Sequence, residues 1–200
     1  GSGATMHDPP DDHVLQDPDT GLFKLWYSQP LSEDPFGDSG NALAYAESED
    51  CLNWRKPLSR DFLPVNGHEE TNIVLNDSGH HIGLVVNSDQ SDPDRKYLMV
   101  YNPGDRARAE GKKTLSTAVA SPDGISWKEI SADTPHRHHH FSRVIWDDSI
   151  AKWISYSQYS HHWNFLHRKR QIGRQESADF INWSPKEIVI SIDDDPNLPP

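Results

Sequence analysis

The chain has 200 residues, a formal net charge of −12 and one cysteine. An internal disulfide framework is excluded, and the acidic balance disfavours nucleic acid and anionic membrane as partners, since both call for a positive surface. Mean hydropathy is −0.80, yet the seven Trp, six Tyr and six Phe set the chain apart from disordered sequences.

The elements are predicted in order as follows. Residues 1–10 read as a linker, and the short strand V-L-Q-D ends at Asp17. P-D-T-G at 18–21 is a turn with Pro at its first central position. Strands follow at 23–29 and 41–47, separated by a polar loop with Pro30, Pro35, Gly37 and Gly40. Trp54 begins a short outer strand to 57, where Pro57 suits a sheet edge. T-N-I-V-L at 71–75 reads as the opening of a second unit, with strands at 82–87, 96–101, 115–121 and 127–131. A third unit follows H-R-H-H-H at 136–140, with strands at 142–146, 152–158, 171–177 and 183–190. Asp17, Asp89 and Asp147 fall at equivalent turns, each before the second strand of its unit. No segment carries a sustained helical apolar period.

One heptapeptide occurs three times: S-E-D-C-L-N-W at 48–54, S-P-D-G-I-S-W at 121–127 and S-A-D-F-I-N-W at 177–183. The Trp-to-Trp spacings are 73 and 56 residues. Asp at the third position can accept backbone N–H bonds from the turn that it starts. Gly124 suits a positive φ there; with Cys51 and Phe180 at the same place, the turn is not expected to require one. The three Trp rings are expected to fill the space between neighbouring sheets. An all-strand repeat of this size predicts an all-β protein, a β-propeller with three four-stranded blades at about 11–60, 71–131 and 138–190 in one domain. A closed propeller usually needs at least about four blades. The chain is therefore expected to be a partial propeller, its open edges covered by missing blades or by a second chain.

The stretches D-P-D-T-G-L-F-K-L-W-Y-S, T-N-I-V-L, A-S-P-D-G-I-S-W and E-S-A-D-F-I-N-W-S-P resemble those of bacterial proteins similar to the five-bladed β-propeller glycosidases. That group includes invertases, levansucrases and arabinanases. The resemblance runs from about Val14 to Pro185 and implies about five blades in all. It also implies an Asp, acting as base or nucleophile, just before the first strand of the first blade in a D-P context. Asp8 stands in H-D-P-P; Asp11 keeps the family spacing of three residues to Val14, though no Pro follows it. The family's general acid is a Glu of a later blade, for which Glu70, beside Glu69, is the nearest candidate.

In a propeller the first strand of each blade lines the central channel, and ligands bind where those strands begin. Asp12 and His13, His80 and His81, and His139 and Arg143 fall at these three places and are the candidate substrate-binding residues. Carboxylates there can serve as acid, base or nucleophile, and Arg and His can donate hydrogen bonds to a sugar. Consecutive histidines alternate sides on a strand, so at most two of His138, His139 and His140 would face one site. No zinc-type spacing is present and no cofactor is expected; a divalent metal such as calcium in the channel is the one candidate.

Two functions follow. One is a glycoside hydrolase-like protein with carbohydrate as its partner at the channel mouth. The other is a non-catalytic propeller that binds carbohydrate or protein. A sialidase-like Asp-box propeller fits less well, because only the Gly124 copy approaches that box and no arginine triad is evident. Location is left open, with a secreted or periplasmic setting favoured.

Overall fold

The computed structural model describes residues 13–31, 41–76, 82–87, 89, 91–101, 116–134, 142–160 and 170–191. Twelve strands are present among them: β1 His13–Gln16, β2 Phe23–Pro30, β3 Asn41–Ser48, β4 Ile73–Leu75, β5 Ile82–Val86, β6 Tyr97–Tyr101, β7 Ser116–Ser121, β8 Lys128–Thr134, β9 Ser142–Asp147, β10 Lys152–Ser160, β11 Arg170–Ser177 and β12 Glu187–Ile190. The described residues contain no α-helix.

These strands form three antiparallel four-stranded sheets, ordered β1-β2-β3-β4, β5-β6-β7-β8 and β9-β10-β11-β12. Each sheet is an up-and-down meander. The first strands approach one another, β5 against β9 and β1 beside β5, so the sheets radiate from a common line as propeller blades do. T-N-I-V-L departs from the sequence reading. Its residues Ile73–Leu75 are the outermost strand of the first sheet, with Leu43 opposite Leu75 and Ala44 opposite Ile73. The expected outer strand at 54–57 is reduced to a single bridge between Glu47 and Arg55. Pro57 lacks the N–H that a ladder needs, so the chain travels on before it pairs again.

Two apolar layers hold the sheets together. Between the first and second lie Trp26, Leu43, Tyr45, Leu84, Tyr97, Met99 and Val119, all buried. Trp26 meets Tyr45 and Tyr97 at ring-centroid distances of 5.6 and 5.5 Å, in tilted packing. Between the second and third lie Val85, Leu98, Val100, Ala118, Val144, Trp153 and Phe180. Strand alternation explains the division: Tyr97 and Met99 face one neighbour, while Leu98 and Val100 face the other.

The repeated heptapeptide is one turn, built the same way three times. In each copy the Ser hydroxyl donates to Asp Oδ1, at 3.0 Å for Asp50, 2.9 Å for Asp123 and 3.1 Å for Asp179. That oxygen also accepts two backbone N–H groups: Leu52 and Asn53, Ile125 and Ser126, Ile181 and Asn182. The Trp indole N–H closes the turn on the carbonyl of the fourth residue, at 3.2 Å in every copy. Folding both amides back onto one carboxylate goes with a left-handed fourth residue, and φ is +59° at Cys51, +80° at Gly124 and +68° at Phe180. The expectation that the turn does without a positive φ is therefore corrected. Left-handed backbone costs a non-glycine residue about 1–2 kcal/mol. Full burial of a side chain such as Phe180 contributes roughly 1.5–3 kcal/mol, which offsets that strain. Cys51 is exposed and has no such return.

The Trp rings fill the seams unequally. Trp183 is buried in the second seam; Trp127 and Trp54 are both partly buried, but only Trp127 packs against an apolar layer between sheets. The fourth residue enters the seam as well. Trp26 covers Gly124 so closely that a Cβ there would collide with its ring, and Phe180 meets Trp153 edge-on at 5.4 Å.

Candidate functional site

The starts of the inner strands are the place where the sequence predicts chemistry. His13 opens β1 opposite Trp26, and Arg143 stands in β9 opposite Tyr156. Trp26 and Tyr156 are in turn opposite Tyr45 and Arg174 in the third strands, so His13 and Arg143 hold the same register position in their sheets. Gly83, opposite Val100, holds it in the second sheet. The alignment of the three units is thus reproduced in space. The environments differ: His13 is 5% exposed in the seam between the first and second sheets, while Arg143 is exposed.

Glu70 is placed elsewhere. It lies in the outer segment that leads into β4, two-thirds exposed, with Arg60 Nε 3.8 Å from its Oε1 and Arg60 also paired to Glu69. Three strand spacings separate that edge from β1, roughly 14 Å at ordinary strand spacing. Glu70 is therefore not brought together with His13 and Arg143. Asp8, Asp11, Asp12, His80, His81 and His139 lie outside the described residues. So do the third-unit loop at 161–169 and the His-rich run at 136–140.

The strongest electrostatic arrangement in the described residues is at the other end of the sheets, and sequence reading gave it only a turn role. Asp17, 2% exposed, caps the β1–β2 turn by accepting the N–H of Asp19 and of Thr20. It also takes Lys24 Nζ at 2.9 Å, Lys96 Nζ at 2.9 Å and Tyr97 Oη at 2.7 Å. Burial alone would raise its pKa; the hydrogen bonds from Lys24, Tyr97 and Lys96 outweigh burial and hold the carboxyl well below the usual range. Burial, then the bond to Asp17, pushes the Tyr97 phenol up. Lys96 is raised: burial opposes, but Asp19 and Asp17 prevail. Perturbed groups often mark active sites. Here both carboxylate oxygens are already occupied by donors from two sheets, so the cluster acts as a clamp. The lysines of the cluster come from the starts of two second strands, Lys24 as the second residue of β2 and Lys96 just before β6.

A shallow concavity of about 240 Å³ borders the first heptapeptide turn, lined by Leu22, Glu47, Glu49, Asp50 and Arg55. It is smaller than ordinary ligand sites, which start near ~300 Å³, and is remote from the inner-strand starts. The described residues contain no group of three or more His, Cys, Asp or Glu able to hold a metal ion. Among them, no helix is long and apolar enough to cross a membrane.

No family model and no curated protein matches the sequence. Solved structures do. An N-acetylgalactosamine deacetylase from F. plautii, in complex with blood group B trisaccharide, superposes with a TM-score of 0.59 at 15% identity, over 90% of this chain and 53% of that one. A β-fructofuranosidase from Schwanniomyces occidentalis, complexed with fructosyl-erythritol, gives 0.59 at 16%, over 92% and 34%. A thermostable family-43 glycoside hydrolase gives 0.59 at 15%, over 91% and 53%. The resemblance drawn from the motifs therefore holds for the fold, which is that of β-propeller glycosidases. The chain spans about a third to a half of the length of these proteins.

Proposed function

We propose that this chain is part of a glycoside hydrolase-like propeller that acts on or binds a carbohydrate where the inner strands begin. The observation that carries the reading is the convergence of β1, β5 and β9 in a fold shared with a β-fructofuranosidase and a family-43 glycoside hydrolase. Arg143, exposed at the start of β9, supplies a planar donor suited to hydroxyl or carboxylate groups of a sugar. Asp8 and Asp11 are the proposed base or nucleophile. With Asp12, His13, His80, His81 and His139 they place carboxylates and imidazoles near the same strand starts in sequence. Glycoside hydrolysis needs two carboxyl groups flanking the scissile bond. Glu70 stands exposed on the outer segment of the first sheet, away from His13 and Arg143, and that supports keeping the second reading, a propeller that binds carbohydrate without cleaving it. Release of reducing sugar from a panel of polysaccharides, together with a glycan array, separates the two. Hydrolysis lost in both Asp8→Asn and Asp11→Asn supports the enzyme. Glycan binding without hydrolysis supports the binding module. Hydrolysis that persists in both variants overturns the assignment of the acids.

A further inference from the structure

The two internal seams differ at one repeated position. The register aligns Asp17, Asn87 and Asp147, because Gln16 is opposite Phe23, Val86 opposite Tyr97 and Trp146 opposite Trp153. Each of these three side chains accepts the backbone N–H two residues on, from Asp19, Asp89 and Ser149. Asn87, and not Asp89, is thus the counterpart of Asp17. In the first seam the position holds a buried carboxylate, and the second sheet meets it with Lys96 and Tyr97. In the second seam it holds a neutral amide, also buried. The third sheet brings Lys152 and Trp153 to the places of Lys96 and Tyr97. There Lys152 pairs inside its own sheet, with Glu176 at 2.7 Å, and Trp153 packs edge-on against Trp146 and Phe180. The first seam is therefore joined through a charge, and the second through apolar rings.

We propose that the first seam is an acid-released latch: acid parts the first sheet from the second while the second and third stay joined. Lys24 and Asp19 approach Asp17 from its own sheet, and Lys96 and Tyr97 from the second. Lys96 also holds Asp19, and Lys24 also donates to the Asp123 carbonyl. The Tyr97 phenol feels the Asp123 charge, and the Tyr45 phenol feels that of Asp17 and donates to Glu47. His13 is buried in the same seam at the far end of β1. Opening the seam takes Lys96 and Tyr97 away from Asp17, whose carboxyl then returns from its depressed value towards the ordinary one near 3.9. The contribution of Asp17 to closure is thus complete above that value and is lost as pH falls below it. Asp123 and Asp179 do not act in this way, because their carboxylates bond inside their own turns and keep those bonds when a seam opens.

Two buried indoles report on the seams separately. Trp26 Nε1 donates across the first seam to Gly124 O at 2.7 Å, and Trp183 Nε1, buried in the second, donates to Phe180 O at 3.2 Å. The test is hydrogen exchange of these two N–H groups, followed by NMR and expressed as protection relative to free indole. Protection of Trp26 should fall by up to about tenfold per pH unit below about pH 4, the signature of one proton taken up on opening. Protection of Trp183 should fall much less. In Asp17→Asn the acid-dependent loss at Trp26 should vanish. Tyr97→Phe removes one cross-seam bond and keeps the ring. It should lower Trp26 protection by about tenfold near neutrality, the worth of a hydrogen bond to a charged group, and the gap from the wild type should narrow in acid. Equal loss at Trp26 and Trp183 overturns the proposal, as does loss at neither. So does an acid-dependent loss at Trp26 that persists in Asp17→Asn, or a Tyr97→Phe gap that stays constant with pH.

Discussion

Tyr97 Oη donates to Asp17 Oδ2 at 2.7 Å, across the seam between the first two sheets. The bond ties the turn between β1 and β2 to the first residue of β6, and it lies under the aromatic cluster of Trp26, Tyr45 and Tyr97. Lys24 and Lys96 sit 5.0 and 5.5 Å from the centroid of the Tyr97 ring, so one phenol meets a carboxylate at its tip and two ammonium groups at its face.

Stability should fall on both sides of neutral pH because of this cluster. Asp17 is more acidic folded than unfolded, so its contribution is complete above the unfolded value of about 3.9. It is lost as pH falls towards the folded value. Lys96 and Tyr97 have raised pKa values in the fold. Their contributions are complete below the unfolded values of about 10, and are lost as pH rises further. Asp17→Asn should cost about 3–5 kcal/mol near neutrality, because it leaves Lys24 and Lys96 without their shared buried anion. Urea titrations over pH check both points: the acid limb should flatten in the variant.

Gly124 and Cys51 occupy the same turn position with opposite expected responses. Gly124→Ala places a Cβ in left-handed backbone, costing about 1–2 kcal/mol. Contact with the Trp26 ring adds about 1–3 kcal/mol of overpacking. Cys51→Gly relieves the same backbone strain where nothing is packed on the side chain. A gain of up to about 1 kcal/mol is expected, after the greater freedom of glycine in the unfolded chain is subtracted. Thermal or urea unfolding of the two variants reads the difference in sign.

Asp123→Ala removes the acceptor shared by the Ile125 and Ser126 amides in a turn wedged against the first sheet. A loss of about 1–3 kcal/mol is expected. The same change at Asp50 leaves amides that water can reach, so its effect should be clearly smaller. Parallel unfolding curves decide.

The sequence carried the blade pattern because the Ser-x-Asp-x-x-x-Trp turn is local: each of its hydrogen bonds joins residues no more than three apart. The positive φ was missed because Cys51 and Phe180 are unusual choices for it, and the burial that compensates Phe180 comes from another sheet. Ile73–Leu75 was assigned to the wrong sheet because pairing partner is a long-range property that a five-residue apolar run does not encode. The Asp17 cluster was half legible. Its turn role follows from local spacing, but Lys96 and Tyr97 lie 79 and 80 residues away. For the candidate site, the shared register of His13 and Arg143 follows from the repeat, whereas the burial of His13 depends on a neighbouring sheet.

The most direct test of carbohydrate recognition at the inner-strand starts is glycan binding by Arg143→Ala beside Arg60→Ala. Arg60 provides the control, an exposed arginine on the outer segment paired with Glu69 and Glu70. The account predicts that the first variant loses at least about tenfold in affinity, the worth of one charge-assisted hydrogen bond, while the second binds like the wild type. Equal binding by all three proteins would contradict it.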